Sequence, residues 1–405
     1  MKRSWLIFFA VVFMLPATYA QPGAICQNPE IQIAGPQQVV YQYTSQHCAD
    51  MDVPDTPAMA FKDASGKVHL FNGISGSYMS VGTTLNNVHR DCSQPFNSTI
   101  APADNNTPDS FDNWKWFRSP WTFDGKTVYG LIHNEFHGWD QPDKYCSSEN
   151  QNACLYPNVT ASISTDGGKT FHVQRDANGN VVLALVTPYP YVVGANKQAG
   201  IRAPTNIISG NVNGKIYYYL LASNRGSKGN LQKPGTCLYR SDDVTNPSHW
   251  RAWDGNGFNV AVNATLYRDA NLDPSQHICK PVFNAAPSSW TFNTIINQYI
   301  AIVGMIGNTG EYNFGFVTSP DMINWSLPTE MMATTFTQFH QSKRGSGVAG
   351  QTYPSLIDPQ SAGLNFEYSG PHPYLYFTRF NPKMKGSTWH NRDLLRVPLT
   401  ISCGN

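Results

Sequence analysis

The segment RSPWTFDGKTVYGLI, residues 118–132, has the pattern of a proline-bearing strand, a glycine turn and a second strand. Short apolar or aromatic runs on both sides of Asp124-Gly125 are typical of a β-hairpin. Segments of the same plan begin at residues 55, 202, 280 and 353. Their prolines, at intervals of 63 to 84 residues, are Pro57, Pro120, Pro204, Pro281 and Pro354. The spacing indicates a chain built from repeated units.

Five units of about 77 residues fill the 405-residue chain after residue 20. Repeats of this size, each with about four short strands, are typical of a β-propeller. Long segments with a helical period are missing from the sequence. We therefore predict an all-β, single-domain, five-bladed β-propeller over residues 21–405, with four antiparallel strands in each blade. EIQIAGPQQVVYQY, residues 30–43, is expected to supply the outer strand of the last blade.

The turn within SISTDGGKTFHVQR, residues 162–175, resembles the Asp-box of sialidase-like propellers. The matching residues are Ser164, Asp166, Gly168, Thr170 and Phe171. The aspartate of such a turn accepts hydrogen bonds from the backbone N–H groups of the turn, and glycine supplies its unusual backbone angles. Weaker copies occur at residues 241–250 and 319–325. We predict a structural role on the outer hairpins of the blades.

Residues 1–20 read as a signal peptide, with two basic residues, an apolar run and small residues before a cleavage point. We therefore expect a secreted or periplasmic protein. The eight cysteines all follow this segment and contain no CxxC pair, which favours disulfides over a zinc site. Two pairings are predicted, Cys146 with Cys154 across a short polar loop and Cys26 with Cys403 between the chain ends.

The formal net charge of +1 argues against a nucleic-acid partner. Charged residues make up 14% of the chain, below the roughly 25% of ordinary soluble domains, whereas aromatic residues are plentiful. This composition suits a secreted β-protein, and aromatic faces can also stack on sugar rings. We expect a carbohydrate partner, no membrane span and a monomer. No cofactor and no catalytic metal are predicted, and a structural calcium ion stays an open alternative.

The residues just before the anchor prolines are expected at the central pocket, because the inner strands of a propeller converge on its axis. Asp55, Arg118 and Arg202 stand two residues before a proline, and Lys280 and Tyr353 stand one before. Buried cations require partners. These residues are predicted either to bind a hydroxyl-rich or anionic ligand or to pair with acids along the axis.

LIHNEFHGWD, residues 131–140, is the densest polar cluster within a strand pattern. Its alternation puts His133, Glu135 and His137 on one face of the strand. Glu135 and Asp55 are the predicted catalytic carboxylates, with Asp52 as the alternative to Asp55. His133 and His137 are predicted to bind substrate, and strand spacing separates them too far for a metal site. A solvent-facing strand edge is the alternative for this cluster.

The openings PDTP, residues 54–57, and RAPTNI, residues 202–207, resemble the inner-strand openings of five-bladed propeller glycoside hydrolases, the arabinanase and β-xylosidase group of family 43. The resemblance implies a general base on the first blade, at Asp55 or else Asp52. The acid signature of that family has no glutamate here, because Cys279-Lys280-Pro281 stands at its place.

FRSP, residues 117–120, is similar to a sialidase motif, and a sialidase would take its third arginine from Arg225 or Arg379. The leading prediction is a glycoside hydrolase that cleaves glycosidic bonds in an arabinan-like, xylan-like or other glycan with a pair of carboxylates. A sialidase-like hydrolase or lyase of acidic sugars, with a histidine or Tyr353 as the base of the lyase, is the first alternative. A carbohydrate-binding propeller without catalysis is the second.

Overall fold

The computed structural model describes residues 23–96, 107–141, 145–146, 151–226, 229–306, 312–334, 350–381 and 390–404. The predicted signal peptide lies outside these ranges and stays a prediction. Within the described residues, β-strands form five sheets around a common axis, antiparallel except for one short parallel pair, and helices are limited to single turns. The predicted five-bladed β-propeller is thereby confirmed.

The first strands and blade 1 follow in chain order. The N-terminal part contains β1 (Pro29–Ile33), β2 (Gln38–Tyr41) and the short helix α1 (Tyr43–Gln46). Blade 1 consists of β3 (Pro54–Lys62), β4 (Val68–Gly73), β5 (Ser80–Gly82) and β6 (His89–Arg90).

Blades 2 and 3 carry additional short strands at their edges. Blade 2 consists of β7 (Trp114–Thr122), β8 (Val128–His137), β9 (Leu155–Ser164), β10 (His172–Val173) and β11 (Leu183–Leu185). A 3-10 turn (Gly138–Asp140) and α2 (Gln151–Cys154) lie between β8 and β9. Blade 3 consists of β12 (Gly200–Arg202), β13 (Ile208–Val212), β14 (Lys215–Arg225), β15 (Gly235–Ser241), β16 (Arg251–Ala252) and β17 (Val260–Ala261). Further 3-10 turns span Pro247–His249 and Pro274–His277.

Blades 4 and 5 complete the ring. Blade 4 consists of β18 (Ala286–Asn293), β19 (Gln298–Ile306), β20 (Tyr312–Ser319) and β21 (Thr329–Met332). After β22 (Gly350–Ile357), the short strand β23 (Tyr368–Ser369) pairs with β18 in parallel. Blade 5 continues from β22 through β24 (Tyr374–Phe380) to β25 (Arg392–Cys403).

The ring is closed by the N-terminal strand, as the sequence predicted. Strand β1 pairs antiparallel with β25, with Ile31 opposite Ile401, so it forms the outer edge of blade 5. The disulfide between Cys26 and Cys403 joins this strand covalently to the last one. Blade 5 thus contains strands from both ends of the chain, and their pairing closes the ring.

Apolar side chains fill the space between each pair of neighbouring blades. Phe61 of blade 1 packs with Phe117 of blade 2, and Leu131 of blade 2 belongs to one cluster with Leu220 of blade 3. Comparable clusters join blades 3 and 4, blades 4 and 5, and blades 5 and 1. Each sheet therefore buries its faces only against its neighbours, which requires the ring to close.

A backbone kink before the proline recurs on three inner strands. Ser119, Ala203 and Tyr353 have φ values of +49°, +45° and +56°, and each directly precedes a proline. Non-glycine residues rarely adopt this region, and a residue before proline normally prefers extended angles. The ladder slips at this point in β7 and β22. The repeated proline thus marks a kink where inner strands approach the axis.

The sequence spacing suggested Pro281 as the fourth anchor proline, but the structure places this anchor at Pro287. The inner strand of blade 4 begins at Ala286, and the ladder with β19 shifts between Pro287 and Ser289. Pro281 and Lys280 precede this strand, and Lys280 is exposed beside Gly255 on the outer part of blade 3. Two prolines six residues apart both fit a repeat of this length, so spacing alone could not separate them.

The turn at Asp166 makes the hydrogen bonds expected of a structural turn. Its carboxylate accepts from the backbone N–H groups of Lys169 and Thr170, both at 3.0 Å. Gly168 has φ +85°, and the Phe171 ring is buried against blade 1. The related turns at Asp243 and Asp321 likewise join the third strand of a blade to the next strand. These hairpins lie at the outer edges of their blades.

All eight cysteines lie in described ranges and form disulfides, which are Cys26–Cys403, Cys48–Cys92, Cys146–Cys154 and Cys237–Cys279. Both predicted pairings are confirmed. Complete pairing is typical of proteins that fold in an oxidising compartment. Within the described residues no helix has the length and apolar character needed to cross a membrane.

Candidate active site

The candidate site lies at the end of the propeller where the inner strands begin. Asp55 stands at the start of β3, and Tyr353 lies at the kink in β22. Strand β8 runs antiparallel to β7, so Glu135 at its end lies opposite Trp114 at the start of β7. Arg392 begins β25 beside the same rim. Side chains far apart in sequence are thereby gathered at one end of the axis.

Asp55 is held by donors from two other blades. Its Oδ2 accepts from Trp116 Nε1 at 2.8 Å, and its Oδ1 accepts from the Tyr353 hydroxyl at 3.1 Å. Arg392 forms an ion pair with the same Oδ1 atom and lies over the Phe380 ring. The Asp55 side chain is 13% exposed. A carboxylate fixed in this way has a defined orientation and still reaches the open end of the axis.

Glu135 lies between the two histidines of its own strand. His133 Nε2 and His137 Nε2 are each 2.8 Å from one of its carboxylate oxygens. Arg202 of blade 3 approaches the Oε1 atom to 3.7 Å. Burial by itself would raise the pKa of Glu135, but the two histidines hold this pKa well below its usual range. Glu135 is therefore an ionised carboxylate in the free protein.

The two histidines differ in charge because their second nitrogens have different partners. His133 Nδ1 accepts from the backbone N–H of Ala203 at 3.3 Å, which leaves the ring proton on Nε2. Burial, only partly opposed by Glu135, lowers the pKa of His133, so this ring is neutral. His137 Nδ1 faces Asp140 at 3.2 Å, so both of its nitrogens donate to carboxylates.

His137 is accordingly the proton-bearing histidine of the cluster. Burial favours the neutral ring, but the hydrogen bonds to Asp140 and Glu135 outweigh it and raise the pKa of His137. The bond from His137 is also the largest cause that lowers the pKa of Asp140. The protonated ring of His137 thus donates one N–H group to Asp140 and the other to Glu135, and it carries one positive charge between the two carboxylates.

Tryptophan rings connect the two carboxylates and surround the histidines. The Trp116 indole, which donates to Asp55, lies 5.8 Å from the His133 ring centroid and 6.0 Å from that of His137. Trp139 stacks on His137 with centroids 4.3 Å apart, and Trp114 lies on it at 5.9 Å. Aromatic surface with a few convergent polar groups is the usual lining of a small-ligand site.

Tyr353 belongs to the same electrostatic unit. Burial and the charge of Asp55 raise the pKa of Tyr353 well above its usual value, and the charge of Glu135 acts in the same direction. Its phenol is therefore protonated and donates to Asp55. Tyr353 thus lies near enough to both Asp55 and Glu135 for the charge of each to act on its hydroxyl.

Arg118 is buried near Tyr353 and His133 and does not lie on the surface of the candidate site. The side chain is 2% exposed, and its Nη2 atom donates to the Ser288 carbonyl of blade 4 at 3.0 Å, across the axis. Burial lowers the pKa of Arg118 to about 9. It helps to keep His133 neutral. Arg118, which the sequence analysis predicted to bind substrate, is therefore a buried side chain that contacts blade 4.

Asp52 and Lys280, also predicted for the site, lie outside it. Asp52 is fully buried and accepts from the backbone N–H groups of Cys48 and Tyr78, at 3.1 and 2.9 Å, beside Arg90 at 3.3 Å. These contacts fix the loop before blade 1. Lys280 precedes blade 4, as described above. The structure thus gathers Asp55, Glu135, His133, His137, Arg202 and Tyr353 and adds Arg392, Trp116 and Asp140.

The added residues follow patterns that the sequence search did not use. Arg392 begins the third strand of its blade, whereas the prolines mark only inner strands. Trp116 stands two residues before Arg118 and could have been found by the period of two. Among the described residues, no group of three or more His, Cys, Asp or Glu side chains is arranged to hold a metal ion.

No family model matches the sequence, and no curated protein sequence matches it significantly. Solved structures of similar outline include α-L-arabinofuranosidase from Lactobacillus brevis (12% identity, 88% of this chain and 94% of that chain, TM-score 0.40). Another is endo-arabinase from Bacteroides thetaiotaomicron VPI-5482 (10% identity, 91% and 99%, TM-score 0.47). A GH62 hydrolase in complex with xylotriose has 11% identity over 86% and 93%, with a TM-score of 0.43. The fold of this chain rests on its own strand order and packing.

Proposed function

We propose that this protein is a glycoside hydrolase that cleaves glycosidic bonds in a poly- or oligosaccharide at the mouth of the propeller axis. The observation that carries the proposal is the position of Trp116, which donates to Asp55 and lies beside His133, the hydrogen-bond partner of Glu135. Each carboxylate side chain is 13% exposed, and each comes from a different blade. Two carboxyl groups that flank the scissile bond are the usual machinery of glycosidic hydrolysis.

Asp55 acts at the anomeric carbon, by direct attack or through a water molecule that it deprotonates. The donors Trp116, Tyr353 and Arg392 hold the carboxylate in a fixed orientation for this role. The interactions are charge-assisted, and they fix the oxygen atoms before substrate arrives.

Glu135 and His137 together supply the proton for the leaving oxygen. A general acid must carry its proton when substrate binds, whereas Glu135 by itself is ionised. The proton is held on His137, 2.8 Å from the Oε2 atom of Glu135. It passes from His137 Nε2 through Glu135 to the glycosidic oxygen as the bond to the anomeric carbon breaks. Asp140 stabilises the charged form of His137 before transfer.

The remaining groups bind and orient the sugar. Trp139 and Trp114 offer ring surface beside His137, and Arg202 reaches toward the glutamate from blade 3. His133 donates to Glu135 and is fixed by the N–H of Ala203. The complete pairing of the cysteines supports a place of action outside the cytoplasm, secreted or periplasmic.

The test is a screen for released reducing ends on arabinan, xylan, mannan, pectin and host-type glycans, with Glu135→Gln as the inactive reference. The wild type is expected to cleave at least one of them, and kcat/KM of the variant is expected to fall by about 10²–10⁴-fold. Glu30→Gln, at an exposed position on β1, is the matched control. Sugar binding by a folded wild type that cleaves nothing would instead identify a carbohydrate-binding propeller, and full activity of Glu135→Gln would exclude Glu135 from catalysis.

A further inference from the structure

A cavity of about 470 Å³ opens next to Glu135, between blades 3 and 4. Its volume falls within the ~300–1,000 Å³ typical of small-ligand sites. Three cations line it, Lys197, Arg202 and Arg225, together with the amides of Asn196, Asn224 and Asn284. Arg202 and Arg225 come from β12 and β14, which pair side by side with Arg202 opposite Ser223. Arg202 therefore belongs both to the lining of the cavity and to the surroundings of Glu135.

The described residues that line this cavity include three cations and no carboxylate. Glu135 is the carboxylate within ion-pair distance of Arg202, at 3.7 Å, and it also binds two histidines. Among the described residues, no carboxylate lies within ion-pair distance of Lys197. Burial and the neighbouring arginines lower the pKa of Lys197. Arg225 is 6% exposed, and burial followed by the charge of Arg202 lowers the pKa of Arg225 to about 9.

We propose that this cavity binds the anionic group of an acidic sugar, a uronate carboxylate or a sulfate ester, on the residue next to the bond that is cleaved. The position relative to the bond rests on the proposed function, whereas binding of the anion does not require catalysis. The preferred substrate is then an acidic glycan and not a neutral one.

Both the donors and the energetics favour an anion. Guanidinium groups bind carboxylate and sulfate oxygens through paired, charge-assisted hydrogen bonds, and an ammonium group adds a point charge. A bound anion would add a negative charge beside the three cations, to that which Glu135 already supplies at Arg202 and Arg225, whereas a neutral sugar would add none. The asparagine amides can donate to and accept from the hydroxyl groups of the same sugar.

Calorimetric titration with glucuronic acid, galacturonic acid, glucose 6-sulfate and the neutral sugars glucose and galactose tests the proposal on the intact chain. The wild type is expected to bind at least one acidic sugar about tenfold or more tightly than its neutral counterpart. Lys197→Gln, at an exposed position, and Arg225→Gln should each lose this preference. Lys126→Gln, exposed on the hairpin at the opposite end of blade 2, should keep it.

The outcomes separate this inference from the proposed function. Preference for glucose 6-sulfate over the uronates assigns the site to a sulfate ester, and the reverse assigns it to a carboxylate. Equal binding of acidic and neutral sugars, or an unchanged preference in Lys197→Gln, would overturn the inference even if neutral glycans are hydrolysed. Binding of an acidic sugar that depends on Lys197 would support it even if no glycan is cleaved.

Discussion

Tyr353 donates its hydroxyl to Asp55 from a backbone kink, at 3.1 Å and with φ +56° immediately before Pro354. Ser119 and Ala203 have the same kind of kink on blades 2 and 3. Such angles cost about 1–3 kcal/mol each and persist where surrounding packing determines them, often at functional sites. The repeated kink before the anchor proline therefore also positions Tyr353, which donates to the proposed catalytic residue Asp55.

Replacement of Tyr353 by phenylalanine separates hydrolysis from elimination. In a hydrolase the phenol only orients Asp55, so loss of one hydrogen bond to a charged group should lower kcat/KM by about 10- to 100-fold. In a lyase that uses Tyr353 as its base, the variant should lose all activity, and the wild type should release unsaturated sugars. Product analysis by mass spectrometry together with the rate of Tyr353→Phe distinguishes the two reactions. Unsaturated products would contradict the hydrolase.

Replacement of His137 by glutamine should change the pH dependence of both stability and activity. The pKa of His137 is raised above 6.5, so its contribution to stability is complete below about pH 6.5 and is lost as the pH rises through the higher value. The alkaline decrease in Tm should therefore be smaller in His137→Gln than in wild type. The alkaline limb of kcat/KM, which reports the proton on this histidine, should also disappear.

At low pH, the contribution of Glu135 to stability should change in the opposite direction to that of His137. The pKa of Glu135 is lowered well below 4.5, so its contribution to stability is present above about pH 4.5 and is lost as the pH falls through the folded value. His89→Gln, at an exposed position on β6, is the matched control for both limbs. Equal pH profiles of wild type and His137→Gln would contradict the placement of the proton.

Replacement of Asp55 by asparagine should abolish turnover and also weaken the fold. Arg392 is 7% exposed and would lose the carboxylate with which it pairs, at a cost of about 1–3 kcal/mol in the free energy of unfolding. The double variant Asp55→Asn/Arg392→Gln should recover part of this stability but none of the activity, as a double-mutant cycle can measure. Additive losses of stability would show that the two side chains are not coupled.

Removal of the disulfide that closes the ring should destabilise the chain more than removal of the short-loop disulfide. The Cys26–Cys403 bond spans 377 residues and the Cys146–Cys154 bond spans 8. Chain entropy assigns them about 6 and about 2.5 kcal/mol respectively. Denaturant unfolding of the two double serine variants measures the difference. Equal destabilisation would indicate that β1 holds blade 5 without the covalent bond.

The architecture could be predicted because each repeat has a recognisable local sequence pattern. A proline, a turn and two short strands recur in each unit, and the strand pairing of residues 30–33 with the last strand follows from the need to close the ring. The fourth anchor was misplaced because Pro281 and Pro287 fit the spacing equally well. Pro287 is the anchor because its strand pairs with β19, and no local sequence pattern indicates this pairing.

The site was only partly predictable because its contacts join different blades. Alternation on β8 was enough to find His133, Glu135 and His137. Asp52 and Asp55 are close in sequence, and only the contacts of Asp52 with Arg90 and two backbone N–H groups show that it stabilises a loop. Arg392 was missed because its partner Asp55 is 337 residues away. The charge of Glu135 depends on its histidines and could not be deduced from residue types alone.

The most direct test of the account is a crystal structure of Glu135→Gln with an oligosaccharide that the wild type cleaves. If Asp55 and Glu135 are the catalytic pair, the scissile glycosidic oxygen should lie about 3 Å from the side chain of residue 135, with the anomeric carbon facing Asp55. The account also predicts an acidic group of the same ligand between Lys197 and Arg225. A sugar bound at the outer hairpins, or at the opposite end of the axis, would contradict the central claim.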